Sequence, residues 1–133
     1  MEPATHLGID PALCGRPGRL EPGAAVAELT TLPAMAADER GLVHGGFVFG
    51  LADYAAMLAV NDPNVVLGAA ECKFLAPVVA GEVLTARANV AEEAGRKRAV
   101  AVSVEREGTP VFEGTFTCFV LARHVLDGRG GAA

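Results

Sequence analysis

The stretch Gly41-Leu42-Val43-His44-Gly45-Gly46-Phe47-Val48-Phe49-Gly50-Leu51-Ala52-Asp53-Tyr54-Ala55-Ala56-Met57-Leu58-Ala59-Val60 decides how this 133-residue chain folds. From His44 to about Val60 it is rich in Ala and Leu and apolar on nearly every side, which predicts a helix enclosed by the rest of the molecule. Asn61-Asp62-Pro63-Asn64 ends that helix with turn chemistry. The run Phe47 to Val60 is shorter than the ~20 residues that span a bilayer and has Asp53 near its middle, so it reads as a buried helix of a soluble protein and not as a membrane segment.

Working outward, Gly23 to Leu32 reads as a first strand stopped by Pro33. Beyond the helix come four strand-like runs: Val65 to Leu75, Glu82 to Glu93, Arg96 to Arg106 and Pro110 to Ala122. Short breaks at Pro77 and Gly81, at Gly95, and at Gly108-Thr109-Pro110 favour antiparallel pairing. Leu84, Ala86, Ala88 and Val90 alternate with Thr85, Arg87 and Asn89, and Val100, Val102 and Val104 repeat the period of two. The expectation is an α+β fold in which an antiparallel sheet wraps one long central helix. Residues 1–22, punctuated by Pro3, Pro11, Pro17 and Pro22, are expected to form an arm with at most one short helical turn. The folded domain is expected over 23–122, and a flexible Gly-rich tail over 123–133.

Composition narrows the function. The chain is 51% hydrophobic but only 5% aromatic, so its core must be built from Ala, Val and Leu with a few Phe. Eleven Lys and Arg against sixteen Asp and Glu leave a formal charge of -5, which argues against nucleic acid as a partner. Cys14, Cys72 and Cys118 are an odd number without Cys-x-x-Cys spacing or a nearby His, so neither a disulfide framework nor a metal site is indicated. Reduced thiols and an N-terminus without an apolar signal region point to the cytoplasm. There is no Gly-x-Ser-x-Gly elbow and no phosphate-binding Gly-x-x-x-x-Gly-Lys loop.

Two features carry chemistry. The amides of Gly45 and Gly46 lie at a helix N-terminus, where N–H groups lack intrahelical partners and suit a negative oxygen; the same pair could merely make a tight turn. Asp53 is the sole charged side chain between His44 and Val60, and burial in so apolar a helix raises a carboxyl pKa toward values useful for a base. Gly45 and Asp53 are eight residues apart, about 12 Å along a helix, so they cannot flank one carbonyl carbon within one chain. If both act on one substrate, two helices must meet across a two-fold axis, which makes a dimer the minimum assembly.

The run His44-Gly45-Gly46-Phe47-Val48-Phe49-Gly50-Leu51-Ala52-Asp53 resembles the signature of hotdog-fold acyl-CoA thioesterases of the phenylacetic-acid-degradation type. Phe74-Leu75-Ala76-Pro77, Gly81-Glu82-Val83-Leu84, Gly95-Arg96 and Gly114-Thr115 extend the resemblance across roughly residues 23 to 122. It implies hydrolysis of an acyl-CoA without a cofactor, in a homo-oligomer that is usually a tetramer. It further implies that the Gly45 amide holds the oxyanion and that Asp53 of the partner subunit attacks the carbonyl or activates a water. Candidate substrate contacts are His44, expected mainly to position the loop, together with Gly46, Asp38, Phe74 and Arg96. Asp38 stands where relatives often have Asn, and Arg96, in the cluster Arg96-Lys97-Arg98, is the best match for a residue that holds CoA phosphates. No hydroxyl occupies the positions near Asp53, Met57 and Leu67, where some relatives carry one. An acyl-CoA binding module without turnover and a hotdog hydratase are the alternatives.

Overall fold

The computed structural model describes residues 1–129. The chain forms α1 (Pro11–Cys14), β1 (Arg16–Glu21), β2 (Ala24–Thr30), a 3-10 turn at Pro33–Met35, α2 (Gly45–Val60), β3 (Val65–Phe74), β4 (Val83–Ala94), β5 (Lys97–Arg106), β6 (Thr109–Val120) and a second 3-10 turn at Val125–Arg129. The six strands make one sheet in the order β1-β2-β4-β5-β6-β3, antiparallel at every pairing.

Sheet and helix share one core because the strand alternation and the all-apolar helix complete each other. Ala25, Ala27 and Leu29 of β2, Leu84, Ala86 and Ala88 of β4, Val100, Val102 and Val104 of β5, and Phe112, Phe116 and Cys118 of β6 turn inward and are buried. They meet Leu51, Ala52, Ala55, Ala56, Leu58 and Ala59 of α2. Burying a side chain of the size of Leu51 or Leu84 stabilises the fold by about 1.5–3 kcal/mol relative to leaving it exposed. The alanines add little each, but they let the helix lie close to the sheet. Asn61 closes α2 in the left-handed conformation (φ 51°), where Asn is one of the tolerated residues.

The tight turns follow from local chemistry. Gly95, at φ 59°, takes the first central position of the two-residue β4–β5 turn, where a positive φ favours glycine. Glu107 and Gly108, at φ 47° and 81°, close the β5–β6 hairpin with two consecutive left-handed residues, the pattern of a type I′ turn.

The N-terminal region departs from the expectation of an arm with one helical turn. The turn is present as α1, but Arg16–Glu21 also pairs with β2 as an edge strand, its register shifting between Pro17 and Leu20. Pro17 and Gly18 read as breakers in the sequence, yet an edge strand tolerates a residue without an N–H where no neighbour needs the donor. The residues before α1 fasten to the end of α2. Ala4 N–H donates to Asn61 Oδ1 at 2.7 Å, and Asn61 Nδ2 donates to the Glu2 carbonyl at 3.0 Å. Of the expected tail, Val125–Arg129 forms a 3-10 turn and 130–133 lie outside the described residues. No helix among the described residues is long and apolar enough to cross a membrane.

Candidate active site

His44 is the N-cap of α2 and not its first residue. Its backbone is extended (φ -61°, ψ 130°), its N–H donates to the Met35 carbonyl at 2.9 Å, and its Nδ1 accepts from Gly46 N–H at 2.8 Å. An imidazole nitrogen here does the work usually done by Ser, Thr, Asp or Asn at this position. An accepting Nδ1 requires the tautomer protonated on Nε2, so this nitrogen is not free to take a proton from a substrate. The Gly46 amide is correspondingly engaged, and a Cβ at Gly46 would lie 2.8 Å from His44 Nδ1. The Gly45 amide differs: among the described residues it has no hydrogen-bond acceptor. One helix-terminal donor is thus left available to a ligand oxygen, reinforced by the helix dipole.

Phe74, the last residue of β3, packs beside Gly45. A Cβ added to Gly45 would lie 3.1 Å from Phe74 Cε1, and the Phe74 ring packs edge-on against Phe112 with centroids 5.1 Å apart. Val43, Val48, Val78 and Val111 complete an apolar cleft of about 320 Å³ beside Gly45. Larger depressions exist. One of about 540 Å³ lies on the outer face of the sheet around Arg87, Asn89, Ser103 and Thr115, and another of about 530 Å³ lies under the N-terminal arm beside His6 and Tyr54. Gly45 lines neither, so size alone does not locate the chemistry.

Asp53 sits two turns further along α2, mostly buried, and its Oδ1 is fully buried without a hydrogen-bond partner. Burial pushes its pKa up from 3.8 to about 6. The carboxylate also bears on two thiols. Cys118 is pushed up to about 12, first by its own burial and then by the charge of Asp53. Cys14 is raised by burial, then by Asp10, then by Asp53. A buried acid with an orphaned oxygen is costly to keep and is characteristic of functional positions.

The remaining candidates fall in different places. Asp38 organises the loop before the helix: its Oδ1 accepts from Arg40 N–H at 2.9 Å and from Leu42 N–H at 3.1 Å. Arg96 lies in the β4–β5 turn, where its carbonyl accepts from Val120 N–H, beside the segment that follows the C-terminus of α2. Arg96 and Gly45 are therefore at opposite ends of a helix about 24 Å long. Arg98, its neighbour, is engaged with the Gly95 and Lys97 carbonyls and with Glu93 at 3.5 Å. Among the described residues no cluster of three His, Cys, Asp or Glu could hold a metal ion. Val78 and Val111 were not singled out in the sequence, and Val48 was read only as part of the helix. Val48 lies on α2, Val78 in the loop after β3 and Val111 on β6, and nothing local distinguishes them from ordinary core residues.

Comparison with known proteins bears on the family and the fold. Solved structures include the uncharacterised protein PH1136 from Pyrococcus horikoshii, 53% identical with a TM-score of 0.94, covering 96% of this chain and 98% of that one. A mutant of the phenylacetic acid degradation protein PaaI from Thermus thermophilus is 33% identical with a TM-score of 0.75, covering 83% of this chain and 96% of the other. A curated relative, methylthioribose-1-phosphate isomerase of Aquifex aeolicus, is 48% identical over 122 residues; the match takes in 91% of this chain but only 27% of that protein. The chain thus spans about a quarter of the length of that relative. Residues 40–113, which contain the N-cap histidine, α2 with Asp53 and most of the sheet, match the thioesterase superfamily. The chain belongs to the thioesterase superfamily and has its hotdog fold.

Proposed function

We propose that this protein hydrolyses an acyl-CoA thioester to free CoA and a carboxylic acid, without a cofactor, in a homo-oligomer of two subunits or more. The observation that carries the reading is the mostly buried Asp53 carboxyl, whose Oδ1 has no hydrogen-bond partner and whose pKa burial raises to about 6. Such an acid is ionised at neutral pH and is a stronger base than an exposed Asp.

In this reading the thioester carbonyl oxygen accepts a hydrogen bond from Gly45 N–H. Asp53 of the partner subunit takes a proton from a water whose oxygen bonds to the carbonyl carbon. The tetrahedral oxyanion that forms is held by Gly45 and the helix dipole. Its collapse breaks the C–S bond, and the departing CoA sulfur carries off the proton. Direct attack by the carboxylate, with an anhydride hydrolysed in a second step, uses the same two groups. His44 holds the helix start and Asp38 the loop before it, while Phe74 walls the carbonyl site. The exposed edge of β3 is the natural seam for a second copy, because it ends the sheet with a long unpaired strand. Helices running antiparallel across that seam bring Arg96 of the partner subunit toward Gly45, where a cation would meet CoA phosphates. Three unpaired cysteines suit a cytoplasmic setting.

The test is thiol release from a panel of aryl- and alkyl-CoA esters by the native chain and by Asp53→Asn. Loss of about 10²- to 10⁴-fold in kcat/KM, with oligomeric state unchanged, is the expected result. Equal rates would remove Asp53 from the chemistry, and saturable acyl-CoA binding without CoA release would make the protein a binding module.

A further inference from the structure

We infer that the acyl group cleaved here is a plain hydrocarbon, one that carries no hydroxyl, amide or carboxylate. The inference rests on the thioesterase reading and narrows it. The cleft that opens beside the free Gly45 amide has no polar side chain in its lining. Val43, Val48, Val78 and Val111 form its floor and are all buried; Phe74 and Leu75 form an exposed apolar wall. The apolar surface continues outward through Leu42 and Val79, 41% and 47% exposed, which pair in an isolated β-bridge.

Three backbone carbonyls of the lining are also committed. The Pro77 carbonyl accepts from Arg106 Nη1 at 2.7 Å, and the Val78 carbonyl accepts from Val43 N–H at 2.8 Å. The Val111 carbonyl accepts from Leu75 N–H at 2.8 Å and from Ala76 N–H at 3.4 Å. Arg106, whose guanidinium reaches this loop, is held by the Pro77 carbonyl and by Glu82 at 3.5 Å. A hydroxyl brought in on the acyl group therefore loses its water and meets no polar side chain in this lining, and a carboxylate loses more. With the thioester oxygen on Gly45, the acyl portion has this cleft next to it, so discrimination falls on the acyl group.

The experiment compares kcat/KM for matched esters on the native protein: hexanoyl-CoA with 6-hydroxyhexanoyl-CoA, phenylacetyl-CoA with its 4-hydroxy derivative, and butyryl-CoA with succinyl-CoA. The expected result is a preference of about 10²-fold for the hydrocarbon member of each hydroxyl pair, the scale on which an apolar pocket rejects an added hydroxyl, and more for the carboxylate pair. Val111→Thr and, separately, Val78→Thr place a hydroxyl in the floor at nearly constant volume, and each is expected to narrow the hydroxyl preference about tenfold. Hydroxylated and plain esters cleaved within about threefold of each other would overturn the inference while leaving the thioesterase intact. An unchanged preference in both folded Thr variants would also overturn it, by placing the acyl group elsewhere. Absence of CoA release from every ester would overturn the thioesterase reading itself, and the inference with it.

Discussion

Asp53 shows how one side chain ties stability to chemistry. Its pKa in the folded chain, about 6, lies above the 3.8 of an ordinary Asp because burial disfavours the charge. For an acid raised in this way, its contribution to stability is fully present below pH 4 and is lost as pH rises through about 6. Each pH unit of that interval is worth about 1.4 kcal/mol, so the ionised acid costs the fold about 3 kcal/mol at neutral pH. Denaturant titration of Asp53→Asn should therefore show a gain of about 2–3 kcal/mol at pH 7.5 that vanishes near pH 4. The kcat/KM of the native enzyme should rise with an apparent pKa near 6 and level off above pH 7. A profile flat from pH 5 to 8 would contradict a base at this position.

Gly45 permits an equally direct test. It is the first residue of α2, where proline is tolerated, and the extended His44 before it, with ψ 130°, is already in the conformation that proline requires of its predecessor. Gly45→Pro deletes the amide donor, and its Cβ requires the exposed Phe74 ring to give by a few tenths of an ångström. Circular dichroism and thermal unfolding should change little, while kcat falls by about 10²- to 10³-fold, the usual loss of one oxyanion donor.

At the scale of the elements, α2 was legible because its apolar residues leave no polar face, and β4 and β5 because their alternation is regular. β1 was not. Pro17 and Gly18 suppress the strand signal, and only the free edge of β2 makes pairing there favourable. The hairpin joining β5 to β6 carries an uncorrected local cost, since Glu107 holds a left-handed φ of 47° that Asn adopts more readily. Glu107→Asn should raise stability by about 0.5–1 kcal/mol, read as a rise in Tm with activity unaltered.

The whole molecule sets the hardest requirement. A free amide at the start of α2 and an acid two turns along the same helix cannot share a carbonyl within one chain, so the proposed site needs a second subunit. Mixing Gly45→Pro and Asp53→Asn subunits after gentle unfolding and reassociation tests this directly. Half of the dimers are then heterodimers with one of two sites intact, and activity should return to about a quarter of the native level. No recovery, with mixed dimers demonstrated by mass spectrometry, would place both groups' action within one chain.

The sequence by itself determined the enclosed helix, the antiparallel strands with their inward faces, the glycine turn at Gly95 and the isolation of Asp53. Each of these follows from local composition and spacing, which act over a few residues. Tertiary structure decided what depends on separated segments meeting. It committed His44 Nδ1 to the Gly46 amide and left the Gly45 amide free, and it laid Phe74 against Gly45. It lined the cleft with Val78 and Val111 from beyond the helix, and it set Arg96 at the opposite end of α2. A hydrogen bond or a cavity wall is a property of distances in space, and chain spacing fixes those distances only within a single element.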